Sequence, residues 1–227
     1  MNLPFSVEQF FGVFEAYNAN IWPVQAAAYG LGAVAVVVVA RHSTLSQKVV
    51  PAVLAAFWLW TGIVYHLAYF SRINKAAYVF GALFVIEALL LLALATVKPR
   101  LSFQFERRVW PWIGAGLIVY SMIVYPLLGM LLGHPALEIP WFGVTPCPTT
   151  IFTLGVLLWA DGPRLAVLVI PLLWSAVGGS AALLLNVPQD YGLIVAGLIA
   201  LVGLFARRKP DAGSSRPDRS DAPPDRE

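Results

Sequence analysis

Residues 76–97 read Ala76-Ala-Tyr-Val-Phe-Gly-Ala-Leu-Phe-Val-Ile-Glu87-Ala-Leu-Leu-Leu-Leu-Ala-Leu-Ala-Thr-Val97, an apolar run interrupted by one charge. Wound as a helix at ~1.5 Å per residue, the run measures ~33 Å, enough to cross ~30 Å of hydrocarbon. Its cations stand just outside it, Arg72 and Lys75 before and Lys98 and Arg100 after. A soluble core helix would need polar residues on its outer face, and this one has almost none.

Six further stretches share this character: Ile21–Ala40, Val49–Phe70, Val109–Leu132, Thr149–Ala160, Arg164–Leu185 and Tyr191–Ala206. The chain is 59% hydrophobic and 12% charged, against roughly a quarter charged in ordinary globular domains. The reading is an all-α, polytopic membrane helix bundle of about seven transmembrane helices, with the lipid bilayer as its first partner. Residues 1–20 are expected to form an outer amphipathic helix and 21–206 the bundle. The stretch 207–227, rich in Pro, Asp, Arg and Ser, is expected to be a disordered cytoplasmic tail.

Charge gives the orientation. Alternate connecting segments beginning with 41–48, and including the tail, hold 13 Lys and Arg residues, whereas the others hold 2. The positive-inside rule then puts the amino terminus outside and the carboxyl terminus in the cytoplasm. The same distribution explains the net charge of +3 without nucleic acid, which is not expected as a partner. The first cation is Arg41, so a cleavable signal peptide is not expected. Cys147 is the lone cysteine, which excludes an intramolecular disulfide and a CxxC motif.

Before the first span, Ser6-Val-Glu-Gln9 has the capping-box spacing. Phe10, Phe11, Val13, Phe14 and Tyr17 recur at helical intervals, as in a helix lying at the interface or packed as a lid. Asn18, Asn20 and Gln25 flank the start of span one and are expected to cap it, the other reading being the mouth of a pocket.

The fifth stretch is short. Thr149–Ala160 gives ~18 Å of helix, and Pro146 and Pro148 are expected to keep the lead-in, Val144–Cys147, extended. Irregular backbone at membrane depth survives only where protein buries it or where it lines a wet cavity. A half-helix starting inside the bundle, facing a polar space, is therefore expected. The bland alternative is a tight loop at the interface.

Depth singles out a candidate pocket of Glu87, His66, Cys147, Thr149, Thr150 and Ser180. Glu87 falls near the mid-plane, where a carboxylate is costly and tends to be paired, protonated or functional. His66 lies in an aromatic run, Trp58-Leu-Trp-Thr-Gly-Ile-Val-Tyr-His66, where a packing role is equally natural. Cys147 is either a reactive thiol or inert packing. His66, Cys147 and Glu87 would make a soft-metal set, although their spacing does not enforce one. Gly178-Gly179-Ser180 reads better as a close helix contact than as a binding loop. His134 is read as a surface histidine near an entrance, and Pro126 and Pro171 as kinks. No cofactor motif is recognisable.

Phe14-Glu-Ala-Tyr-Asn18, the aromatic run ending at His66, Pro146-Cys-Pro-Thr-Thr-Ile-Phe-Thr153 and Ile170-Pro-Leu-Leu-Trp-Ser-Ala-Val-Gly-Gly-Ser-Ala-Ala182 together resemble a family of uncharacterised bacterial multi-pass membrane proteins. That family is classed as a domain of unknown function, and its members are sometimes labelled transporter permeases. The resemblance implies a bacterial inner-membrane location and carries no mechanism. Three functions remain open: small-solute or ion transport or binding through an outward-facing polar pocket, an intramembrane enzyme or thiol- or metal-handling protein using Cys147 and His66, and a structural or assembly subunit.

Overall fold

Ser6 opens the first helix as the capping-box spacing predicts, its hydroxyl accepting from the Gln9 N–H at 3.2 Å while the Gln9 side chain accepts from the Ser6 N–H at 2.9 Å. The computed structural model describes residues 4–96, 101–106, 108–161 and 165–206. The tail 207–227 and the cations Lys98, Arg100, Arg107 and Arg164 lie outside the described residues. Among the described residues there is no strand, only an isolated bridge between Phe103 and Ala160.

We number the helices α1 (Val7–Ile21), α2 (Val24–Ala40), α3 (Ser46–Arg72), α4 (Ala77–Thr96), α5 (Val109–Leu131), α6 (Pro146–Leu157), α7 (Ala166–Leu185) and α8 (Pro188–Ala206). Five of them, α3, α4, α5, α7 and α8, are long and apolar enough to cross a membrane. A sixth crossing arises if α1 and α2, bent by 84° at their junction, count as one span. The seven expected stretches are therefore all helical, but five to six meet the length of a crossing. At 12 residues α6 is too short alone.

The centre of the bundle is α6. Pro146 and every residue from Pro148 to Leu157 are buried, and the helix packs against α3, α5, α7 and α8. This enclosure explains why its sequence is apolar on all sides instead of on one stripe. Here the expected lead-in needs correction. Pro146 and Pro148 do not hold an extended segment ahead of the helix; they occupy its first turn, after Thr145 in extended conformation at the N-cap. The first N–H groups of a helix have no intrahelical partner, so proline there forfeits no bond. The chain before them, Phe142 to Val144, is a buried turn. Gly143 takes φ +76° with Ala28 and Phe57 pressed against it, leaving neither the conformation nor the room for a side chain.

Both ends of α6 are clamped. At its start, α1 lies across the bundle as a lid with Phe10, Phe14, Tyr17 and Asn18 turned inward. The Tyr17 hydroxyl donates to the Val144 carbonyl at 2.6 Å and accepts from Trp60 Nε1 at 2.8 Å. Contrary to the expectation from its position, Asn18 does not cap α2. Its amide instead donates to the Leu137 and Ile139 carbonyls at 2.6 and 2.8 Å, and Gln25 Nε2 donates back to the Asn18 carbonyl at 3.2 Å. The start of α2 needs no side-chain cap because Pro23 precedes it and its first residues form a turn back to Pro23. At the far end, the stretch before α5 pairs with the chain leaving α6: Gln104 N–H donates to Trp159 O at 3.0 Å and Asp161 N–H to Ser102 O at 2.8 Å.

Candidate functional site

Two helices leave α-geometry where they meet the lid end of α6. In α3 the residues Thr61–Tyr69 form a π-helix, and in α5 Tyr120–Val124 do the same. Hydrogen bonding from i to i+5 brings residues five apart onto one side, and such segments recur at functional sites. In α3 this stacks Tyr65 on Phe70, centroids 5.7 Å apart. In α5 it turns both Tyr120 and Tyr125 toward the first turn of α8, where their hydroxyls donate to the Gln189 carbonyl at 2.7 Å and to Asp190 Oδ1. The π segment ends two residues before Pro126, whose ring would clash with a carbonyl four residues back in an ordinary helix.

These elements enclose a cavity of about 170 Å³. Phe5, Phe10 and Phe14 roof it, Tyr65, His66 and Phe70 come from α3, Phe80 from α4, Pro146 and Cys147 from α6, Trp174 to Leu185 from α7, and Asp190 from α8. Its α7 rim carries Val177, Ser180 and Leu184, all exposed. The space is comparable to the ~150 Å³ that accepts a benzene-sized ligand. Its walls are chiefly apolar, with seven Phe, Tyr and Trp rings among them, so the polar pocket expected from depth is an apolar one with a few polar groups.

Those groups are unevenly satisfied. His66 is fully buried, ringed by Phe84 at 4.7 Å, Trp174 at 5.1 Å and Tyr65 at 5.2 Å, and neither ring nitrogen has a hydrogen-bond partner. Trp174 Nε1 has no oxygen or nitrogen partner, only the Cys147 sulfur beside it. Asp190 is 4% exposed, holds the Tyr125 hydroxyl and has the Cys147 thiol beside it. A buried polar group left unpaired costs about 1–3 kcal/mol, so a cavity presenting several such groups is formed at the expense of stability.

Of the six residues singled out by depth, His66, Cys147 and Ser180 line this cavity. Ser180 Oγ donates to the Val177 carbonyl at 2.7 Å, on the exposed rim. Thr149 and Thr150 face the packed interior of α6, with Thr150 Oγ1 donating to the Pro146 carbonyl at 2.8 Å and Thr149 Oγ1 unpartnered. Glu87, fully buried with both carboxyl oxygens unpartnered, does not line the cavity. Among the described residues no three His, Cys, Asp or Glu side chains are grouped to hold a metal ion, so His66, Cys147 and Glu87 are not assembled as a set. The sequence reading missed Asp190, whose signal was an acid in a short connection between apolar runs. Gly178 and Gly179 are the close contact expected of them: a Cβ would stand 2.7 Å from Leu193 Cδ2 and 2.5 Å from Ile194 Cγ1. His134 stacks on Phe11 at 4.3 Å, with Glu138 3.6 Å from its ring, away from the cavity.

Glu87 gives a prediction of its own. Replacing an unpartnered buried polar group by an apolar one of similar size removes a desolvation cost. Glu87→Leu should stabilise the detergent-solubilised protein by about 1–3 kcal/mol, read as a higher thermal unfolding midpoint. A lower midpoint would mean that the carboxyl group is held by partners after all.

No curated protein and no solved structure matches the chain. The model of one family of unknown function, DUF6064, matches residues 7–214. The chain belongs to that family.

Proposed function

We propose that this is a seven-crossing protein of the bacterial inner membrane, amino terminus outside, that binds a small solute in the cavity beneath α1 as the loading step of transport. The observation that carries the reading is the apolar cavity, open at its α7 rim, into which the unpartnered ring nitrogens of a fully buried His66 face. Packing residues alone would be expected to satisfy such groups or to be apolar. The crossing number and orientation draw support from the ends of the bundle. The set of segments that together hold 2 Lys and Arg residues, both beside Asn74, contributes Phe5, Asn74, Pro140 and Asp190 to one cavity, while Ser46, Ser102, Phe103 and Asp161 meet at the opposite end. That grouping is the one a chain of seven crossings requires, with α6 and its buried lead-in making the fifth. The division into a lid (1–20), a bundle (21–206) and a cytoplasmic tail (207–227) belongs to the same proposal.

Ser180 offers a test, because it sits on the exposed rim, where a larger side chain narrows the cavity without entering the core. Benzyl alcohol, of a size with the space, should bind the solubilised protein saturably in calorimetry. Ser180→Phe should weaken it at least tenfold, about 1.4 kcal/mol. Equal affinity in the variant would put the solute elsewhere. The thiol-chemistry reading has one observation in its favour, since Cys147 and His66 line the same cavity. Against it, the neighbour of the thiol is the Asp190 carboxyl, which offers no positive charge to a thiolate. Glu87, Thr149 and Thr150 are kept as a separate buried polar set, with Glu87 the candidate for a proton-carrying role.

A further inference from the structure

Among the described residues Asp190 is the one acidic side chain in the cavity wall, and no lysine or arginine lines the cavity with it. Its hydrogen-bonding neighbours, the Tyr125 hydroxyl and the Cys147 thiol, are neutral groups. A carboxylate removed from water needs an opposite charge or several hydrogen bonds, and the described residues supply the Tyr125 hydroxyl, with the Cys147 thiol beside it, and no cation. The rest of the wall is what favours a positive ligand: aromatic faces attract cations, most strongly when water is excluded. Tyr65, Phe70, Phe80 and Trp174 stand around the same space.

The unpartnered His66 nitrogens, with the Trp174 N–H that has only the Cys147 sulfur beside it, add a second requirement. Neutral His66 has one N–H donor and one acceptor, and Trp174 Nε1 is a donor only. Both residues are at least nine-tenths buried and line the cavity. A ligand that satisfied them would carry a hydroxyl or carbonyl oxygen within a few bonds of its charge. Resting on the reading of the cavity as a solute site, we propose that it selects small organic cations bearing a hydroxyl or carbonyl oxygen. The Asp190 carboxylate answers the charge, the rings surround the cationic centre, and His66 and Trp174 take the oxygen. Anions are excluded by Asp190, and large amphiphiles by volume.

Choline and its uncharged carbon isostere 3,3-dimethyl-1-butanol separate charge from shape, and 3,3-dimethylbutyrate supplies the opposite charge. In calorimetry on the detergent-solubilised full-length protein, choline should bind at least tenfold more tightly than the alcohol, and the carboxylate should not bind. Asp190→Asn should bring the choline-to-alcohol ratio to near one. Should that variant fail to fold, the wild-type ratio decides alone. Equal or tighter binding of the alcohol by the wild-type protein overturns the cation assignment and leaves the solute site standing. A ratio that survives in Asp190→Asn overturns it also. If none of the three binds, the cation proposal falls, and the solute site is then judged on the benzyl alcohol experiment with Ser180→Phe.

Discussion

Gly155→Leu should abolish or severely destabilise the folded protein, by at least about 3 kcal/mol. Here α5 and α6 cross backbone to backbone. A Cβ on Gly155 would stand 2.8 Å from the Gly114 carbonyl oxygen, and one on Gly114 would stand 2.5 Å from the Gly155 carbonyl oxygen. What obstructs it is main chain, so no rotamer change relieves the clash, and the two helices must separate. Small residues at helix crossings in membranes serve this close approach. Because α6 is enclosed on every side, moving it disturbs α3, α7 and α8 as well. Gly116 is the internal control: it lies on the same α5 and a Cβ there meets nothing within 4 Å. Gly116→Ala should not lower stability and should raise it by up to about 1 kcal/mol, because alanine loses less backbone freedom in a helix than glycine. Thermal unfolding in detergent, or yield of monodisperse protein on size-exclusion chromatography, measures both. Comparable behaviour of the two variants would mean that the α5–α6 crossing does not organise the bundle.

Tyr17→Phe is expected to loosen the lid, with a loss of roughly 2–4 kcal/mol. The ring itself stays, and with it the edge contacts to Tyr65 at 5.4 Å and Tyr69 at 5.1 Å. What disappears is a single oxygen that donates to the Val144 carbonyl and accepts from Trp60 Nε1. Val144 is 1% exposed, so its carbonyl loses a partner that water does not replace. Trp60 is less enclosed, and its N–H is partly rehydrated. The consequence is local as well as global. Hydrogen exchange of the α1 amides should accelerate more than that of α8, whereas uniform acceleration would show that α1 is not a separately opening element.

The helices were legible because each is written as an unbroken apolar run, and run ends coincide with helix ends to within a few residues. Val109–Leu132 became Val109–Leu131, and Tyr191–Ala206 became Pro188–Ala206. The error at α6 came from treating proline as a barrier, when its first-turn positions are where proline fits best. The π segments were illegible, since nothing in Thr61–Tyr69 departs from an ordinary apolar helix in composition. They matter because they set which way Tyr65, Tyr120 and Tyr125 point. The candidate site was half legible for a geometric reason. Counting residues along a span fixes depth but not direction around the axis. His66 and Glu87 share the burial that depth implied, yet only His66 faces the cavity. Asp190 was counted as part of a connection, and it is the Tyr120 and Tyr125 hydroxyls that tuck this turn against the bundle.

The bonds from Ser102 and Gln104 to residues 159–161 fasten one end of the central helix, and the turn held under Tyr17 fastens the other. A helix pinned at both extremities and gripped along its length behaves as a stator. If the Asp190 chamber serves transport as proposed, the stroke that opens it is made by the periphery swinging about this fixed spindle. A covalent tie between the roof segment and the seventh helix would arrest such a cycle, whereas one anchoring the spindle more firmly would leave it running.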